Sequence, residues 1–135
     1  MKKYIYIPLL VMTLCGIAFA SVKHFWRGET MSLKQAEKRW GSESFDAQKF
    51  KSSATNDRSK MVVSIIKTKA LVGKNRLEIR EMLGSQDGYY FTDMYPAYIV
   101  FEDPKSNGET WQIVGLLDKD YKVKEVIIHK NCCDK

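Results

Sequence analysis

A chain of 135 residues, of which 115 follow an apolar leader, can bury one hydrophobic core but not two, and this excludes a multidomain architecture. The formal net charge is +6, yet residues 21–80 carry 14 basic against 6 acidic side chains whereas residues 81–135 carry 6 against 10. A basic half of that kind suits anionic lipid headgroups or an acidic protein surface, or merely solvates the outer faces of helices.

Lys2 and Lys3 form a positive start, Tyr4 to Ala20 is apolar apart from Thr13, and the run ends in Ala18-Phe19-Ala20. Export machinery and signal peptidase read that order, so residues 1–20 are expected to be a signal peptide removed before Ser21 or an N-terminal membrane anchor. Retained, residues 4–22 approach the roughly 20 apolar residues of a spanning helix. Acylation at Cys15 is a third fate, although Leu14 stands where lipoproteins carry a small residue. Every fate leaves Lys2 and Lys3 in the cytoplasm and the rest outside it, secreted into a bacterial periplasm or anchored to the inner membrane. A translocated protein rarely meets nucleic acid, so none is expected as a partner.

Residues 21–30 read as a tether and residues 31–135 as a single α+β domain. Ser32 can cap a short helix from Leu33 to Trp40 that Gly41 ends. Asp46 opens a second turn, Ala47 to Phe50, which Phe45 and Phe50 can staple. From Asp57 the apolar residues Met61, Val62, Ile65 and Ile66 share one helical face, with Arg58, Lys60, Lys67 and Lys69 on the other. Asn75 caps a further helix whose Leu77, Ile79, Met82 and Leu83 are expected to point inward, and Gly84 stops it. After Gly84 the apolar period changes from 3.6 to 2. Tyr89 to Phe91 can begin a strand, and Tyr95 to Phe101 forms one, with Pro96 tolerated only near its start. Thr110 to Leu117 is apolar enough for a covered central strand. Tyr121 to His129 alternates and then slips phase, as at a bulge or under cover on both faces. Helices followed by closely spaced strands define an α+β fold: two main helices on a three-stranded antiparallel meander, preceded by short helices and the leader.

Leu71-x-Gly73-x-x-x-x-Glu78-Ile79-x-x-x-Leu83-Gly84, then an aromatic strand, Trp111-Gln112-Ile113-Val114 and Tyr121-x-Val123, resembles the SmpA/OmlA (BamE-like) family of small outer-membrane lipoproteins. The resemblance runs from Met61 to Ile128. It implies a helical hairpin on a three-stranded antiparallel sheet and a place in the cell envelope. The same fold unit occurs in β-lactamase-inhibitory proteins, which implies an inhibitor-like module as one possible role.

Three groups of residues bear on chemistry. The tail His129-Lys130-Asn131-Cys132-Cys133 holds the only cysteines beyond the leader. Neighbouring cysteines cannot staple distant parts of a chain, because their Cα atoms lie about 3.8 Å apart, below the usual disulfide range. His129, Cys132 and Cys133 are therefore candidates for a strained bridge, bonds to other chains, or a soft-metal site one ligand short of a structural zinc centre. The aromatic set Tyr89, Tyr90, Tyr98 and Trp111 is the candidate contact surface, since tyrosine and tryptophan pair an apolar body with a polar tip; the same residues also serve to pack a sheet on helices. No catalytic set emerges: the two histidines are His24 and His129, and there is no phosphate-binding glycine loop and no His-Glu-x-x-His. The expectation is a non-enzymatic envelope protein without a cofactor, which binds another envelope protein and reaches the membrane through its leader or its basic half. A thiol or metal role at His129, Cys132 and Cys133 is the alternative, and a small-molecule ligand is not expected.

Overall fold

In a computed structural model that describes residues 28–106 and 108–131, the chain forms four helices and one four-stranded antiparallel sheet, a mixed α+β arrangement. The elements in order are β1 (Thr30–Met31), α1 (Leu33–Trp40), α2 (Ala47–Ser52), α3 (Thr55–Lys67), α4 (Arg76–Leu83), β2 (Ala97–Glu102), β3 (Thr110–Leu117) and β4 (Val123–Asn131).

The helix starts are set by local chemistry. Ser32 and Gln35 form a reciprocal capping box on α1, and Asn75 and Glu78 form another on α4, each satisfying two backbone N–H groups at a helix start. Asp46 Oδ1 accepts the Lys49 N–H at 2.7 Å, and Phe45 meets Phe50 edge-on at 6.4 Å across that turn. Gly84, at φ 91°, ends α4 in backbone that a side chain would strain.

The sheet runs β1-β4-β3-β2, so the expected three-stranded meander gains a fourth strand. That strand comes from the end of the expected tether. Thr30 pairs with His129 and Met31 with Ile128, while Lys130 donates to the Glu29 carbonyl at 2.9 Å. Between β3 and β4 the register slips: Leu116 faces Glu125 but Leu117 faces Val123, which makes Lys124 the extra residue of a bulge. The bulge explains the phase slip in the sequence, because Val123 packs with the helices and Ile127 with the opposite face.

α3 lies on β2, flanked by α1 and α2. Its Met61, Val62, Val63 and Ile65 are fully buried with Phe50, Ile79 and Leu83 against Tyr98, Val100, Ile113 and Ile128. Arg58, expected on the outer face, turns inward. It pairs with Asp87 at 2.6 Å, donates to the Ile99 carbonyl at 3.2 Å, and stacks over Phe50 at 5.2 Å. Leu77, expected inward, is 69% exposed. At about 100° per residue it sits on the side of α4 opposite Ile79, which holds the core contact.

The free edge of β2 is closed by side chains. Asp87 accepts the Ile99 N–H at 2.9 Å, and Asn56 bonds both the N–H and the carbonyl of Glu102 at 2.7 and 3.0 Å. Gly88 donates to the Ala97 carbonyl at 3.0 Å. Those groups deny the edge to another strand.

Candidate functional site

The helices cover one face of the sheet, and a second, smaller cluster covers part of the other. Tyr90, Ala97, Val114 and Ile127 are buried there, with Tyr95 and Leu116 packed against them. Gln112 organises this face. It is fully buried in the middle of β3, where its Oε1 accepts the Tyr89 N–H at 3.0 Å and its Nε2 donates to the Tyr89 carbonyl at 2.7 Å. A side chain thus takes both backbone bonds that a neighbouring strand would have made. The expected strand from Tyr89 to Phe91 accordingly does not form, and one isolated Tyr90–Thr92 bridge remains. Gly88 permits the approach, since a Cβ there would fall 2.9 Å from the Ala97 carbonyl carbon.

The second hydrogen of Gln112 Nε2 faces His129 Nδ1 at 3.2 Å, which makes that nitrogen an acceptor and puts the ring proton on Nε2. Tyr90 packs edge-on against the imidazole at 4.9 Å, and burial lowers the His129 pKa from its ordinary 6.5. On the other side of the ring, Nε2 lies where a Cβ on Gly28 would come within 2.6 Å. His129 is thus committed to the sheet face through Gln112 and Tyr90. Cys132 and Cys133 lie outside the described residues. Among the described residues no group of three His, Cys, Asp or Glu side chains is placed to hold a metal ion.

Of the aromatic candidates, the structure brings Tyr89 and Tyr90 together on this outer face. Tyr89 is exposed, and its hydroxyl donates to the Phe91 carbonyl at 2.6 Å, which pins the loop. Tyr98 and Trp111 are 2% and 5% exposed and face the helices. The Tyr98 hydroxyl donates to the Gly84 carbonyl at 3.0 Å, and burial, helped by the Asp87 charge, pushes its pKa up to about 12. Trp111 donates to Glu109 at 2.6 Å and meets Trp40 edge-on at 6.5 Å, with the Arg39 guanidinium over its ring.

The exposed apolar surface lies elsewhere. Leu77, Tyr121, Phe91 and Met94 are 69%, 62%, 56% and 47% exposed. Leu77, Met94, Leu117 and Tyr121 line a cleft of about 280 Å³ together with Asn75 and Arg76. A groove of about 460 Å³ adjoins it at Leu117 and takes in Phe91, Tyr95, Leu116 and Lys124. Phe91 and Tyr121 both hold left-handed backbone, φ 56° and 58°, which costs a non-glycine residue about 1–2 kcal/mol. The Tyr121 turn is fixed by Asp118, which accepts N–H groups from Asp120 and Lys122 at 2.8 and 3.0 Å. Those bonds, led by the one from Lys122, hold the Asp118 carboxyl below the usual carboxylate range. The chain therefore spends backbone strain on two turns that present aromatic rings to solvent, Tyr121 at the cleft and Phe91 at the groove that adjoins it. Strain of this kind collects at binding sites.

Sequence reasoning missed this surface because its walls come from four separate stretches of chain, Asn75–Leu77, Phe91–Met94, Leu116–Leu117 and Tyr121–Lys124. The signal that was legible was Leu77, a helix residue at the wrong angle for the core. No helix among the described residues is long and apolar enough to cross a membrane. Comparison with protein-family models, with curated proteins and with solved structures finds no match to this chain.

Proposed function

We propose that this chain is a non-enzymatic, extracytoplasmic protein-binding module of a bacterial envelope, which docks a segment of another protein on the apolar surface around Leu77, Met94, Leu117 and Tyr121. The observation that carries the reading is the exposure of Leu77, Met94 and Tyr121 around one cleft and of Phe91 on the groove that adjoins it at Leu117, with Phe91 and Tyr121 on turns with left-handed backbone. Exposed apolar side chains that gather at a depression, rather than scatter singly, mark interaction surfaces. The order of charge, apolar run and small residues in positions 1–20 supports the location, whether the leader is removed or kept as an anchor. The motif from Leu71 to Gly84 supports kinship with the small envelope lipoproteins as part of the same proposal.

A photo-crosslinking residue placed in turn at Met94 and Tyr121 in living cells tests it. The expected result is a discrete adduct, identified by mass spectrometry, that disappears in Leu77→Asp and is absent when the crosslinker sits at Lys60, an exposed position that lines neither cleft. Equal adducts at Lys60, or none at Met94 and Tyr121, refute the reading. Leu77 is exposed enough that the substitution leaves folding intact.

A further inference from the structure

We infer that the docked segment is acidic as well as apolar, an apolar anchor residue flanked by Asp or Glu, and that Arg76 and Arg80 read the carboxylates. The inference rests on the proposed docking surface and names its ligand.

Arg76 is shared by two depressions. On one side it borders the apolar cleft of about 280 Å³. On the other it lines a polar niche of about 200 Å³ with Arg80, Ser85, Gln86 and Tyr98. Arg76 and Arg80 stand one turn apart on α4, and neither is paired with a carboxylate among the described residues. Of the neighbouring acids, Glu78 accepts the Asn75 N–H at 2.7 Å and Asp87 is held by Arg58 at 2.6 Å, while Glu81 follows Arg80 on α4 and forms no ion pair with either arginine among the described residues. Lys74, Lys122 and Lys124 lie at the same corner, interspersed with Asp118, Asp120 and Glu125. Gly73 donates to the Val123 carbonyl at 2.7 Å, and Val123 donates to the Lys74 carbonyl at 2.9 Å. These bonds set Lys74 beside Lys122 and Lys124. Among the acids of that turn, the Asp118 carboxylate is turned onto backbone N–H groups.

An apolar cleft that shares Arg76 with a niche holding a second arginine selects a ligand of complementary pattern. Two arginines spaced along a helix suit acidic side chains in a continuous segment better than a single terminal carboxylate. A peptide is favoured over an anionic lipid because one continuous segment can carry an apolar anchor for the cleft and two carboxylates spaced for Arg76 and Arg80, one turn apart on α4, whereas a lipid headgroup such as phosphatidylglycerol carries a single phosphate.

A random linear peptide library panned on the full-length protein in mild detergent tests the inference, with binders remeasured on Leu77→Asp and on Arg76→Gln/Arg80→Gln. The expected binders place Asp or Glu within a few positions of an aromatic or aliphatic residue. They lose roughly tenfold or more in affinity on the double arginine variant and weaken as salt rises. Binders that need Leu77 but show no acidic bias and ignore the arginine change overturn the inference and leave the docking surface standing. Two further outcomes overturn both: no peptide binder together with Leu77-dependent sedimentation on phosphatidylglycerol vesicles, which makes the occupant a lipid surface, or Leu77-dependent self-association, which makes it a second copy.

Discussion

Replacing Gln112 by leucine removes the clamp on the loop that carries Tyr89, Phe91 and Met94 while nearly conserving volume, so the packing cost is small. Two backbone groups of Tyr89 lose their partners in a half-buried setting, the N–H at 3.0 Å and the carbonyl at 2.7 Å. At about 1–3 kcal/mol for each stranded group, and with water recovering part of that for an exposed residue, the expected loss of stability is about 2–4 kcal/mol. The loss should be local as well as global. Amide exchange at Tyr89 and along residues 88–95 should quicken more than exchange in β2, β3 and β4, because the helix-side core does not involve Gln112. Chemical denaturation gives the first number and hydrogen exchange read by mass spectrometry the second. A loss under about 0.5 kcal/mol with unchanged exchange refutes the clamp. It would mean that Tyr90, packed on His129 at 4.9 Å and on Tyr95 at 5.6 Å, holds the loop by ring contacts alone.

Four other outcomes are expected. Because burial lowers the His129 pKa below 6.5, the unfolded chain binds the proton first, so stability present above about pH 6.5 falls as the solution is acidified towards the folded value; His129→Phe should flatten the melting temperature between about pH 7.5 and about pH 5.5, and an unchanged slope refutes the assignment. Tyr98 has its pKa raised to about 12, so its contribution is present below about pH 10 and is lost as pH rises from there through 12; Tyr98→Phe should leave the phenolate absorbance that develops near pH 10 undiminished, and a loss of one tyrosine's amplitude there would place Tyr98 in water. Phe50→Ala, at a fully buried site, should cost about 3–5 kcal/mol in denaturation, and a cost below about 1 kcal/mol would mean that Phe45 and Tyr98 collapse into the space. Removing the edge guards with Asn56→Ala and Asp87→Ala should free the backbone N–H groups of Ile99 and Glu102 and raise aggregation measured by light scattering; a clear solution at matched stability would show that β2 needs no guard.

The α+β class and three of the helix starts were legible because capping residues announce themselves locally, whereas α3 begins at Thr55 with no side-chain cap. Ser32, Asp46 and Asn75 sit one residue before the helices they cap, and Thr110–Leu117 is bounded in the structure as its apolar run implies. Three features escaped for separate reasons. The short β1 has only two residues and is defined by partners about a hundred positions away, which periodicity does not see. Arg58 reads as solvent-facing because its sequence neighbours are polar; only the fold supplies Asp87 to neutralise it and Phe50 to receive its plane. Tyr98 and Trp111 looked like contact residues because a strand alternates its faces without saying which face the helices will claim. Once α3 lies on β2, residues 98, 100, 111 and 113 fall inside.

The same alternation explains where a partner can sit. The helices seal one face of the sheet, and the other face is closed only where Gln112 draws the residue 88–95 loop down over Tyr90 and His129. At the end of β3, Leu116 packs with that outer cluster and Leu117 with the helix-side core, and the two apolar depressions meet there at Leu117. A sheet built only to be stable would answer that exposure with polar side chains at Leu77, Met94 and Tyr121; Phe91 also packs edge-on against the buried Tyr90 at 4.6 Å. The chain instead places large apolar groups at all four and accepts left-handed backbone at two of them. With Arg76 and Arg80 alongside, neither paired with a carboxylate among the described residues, this end of the sheet matches the proposed apolar and acidic segment.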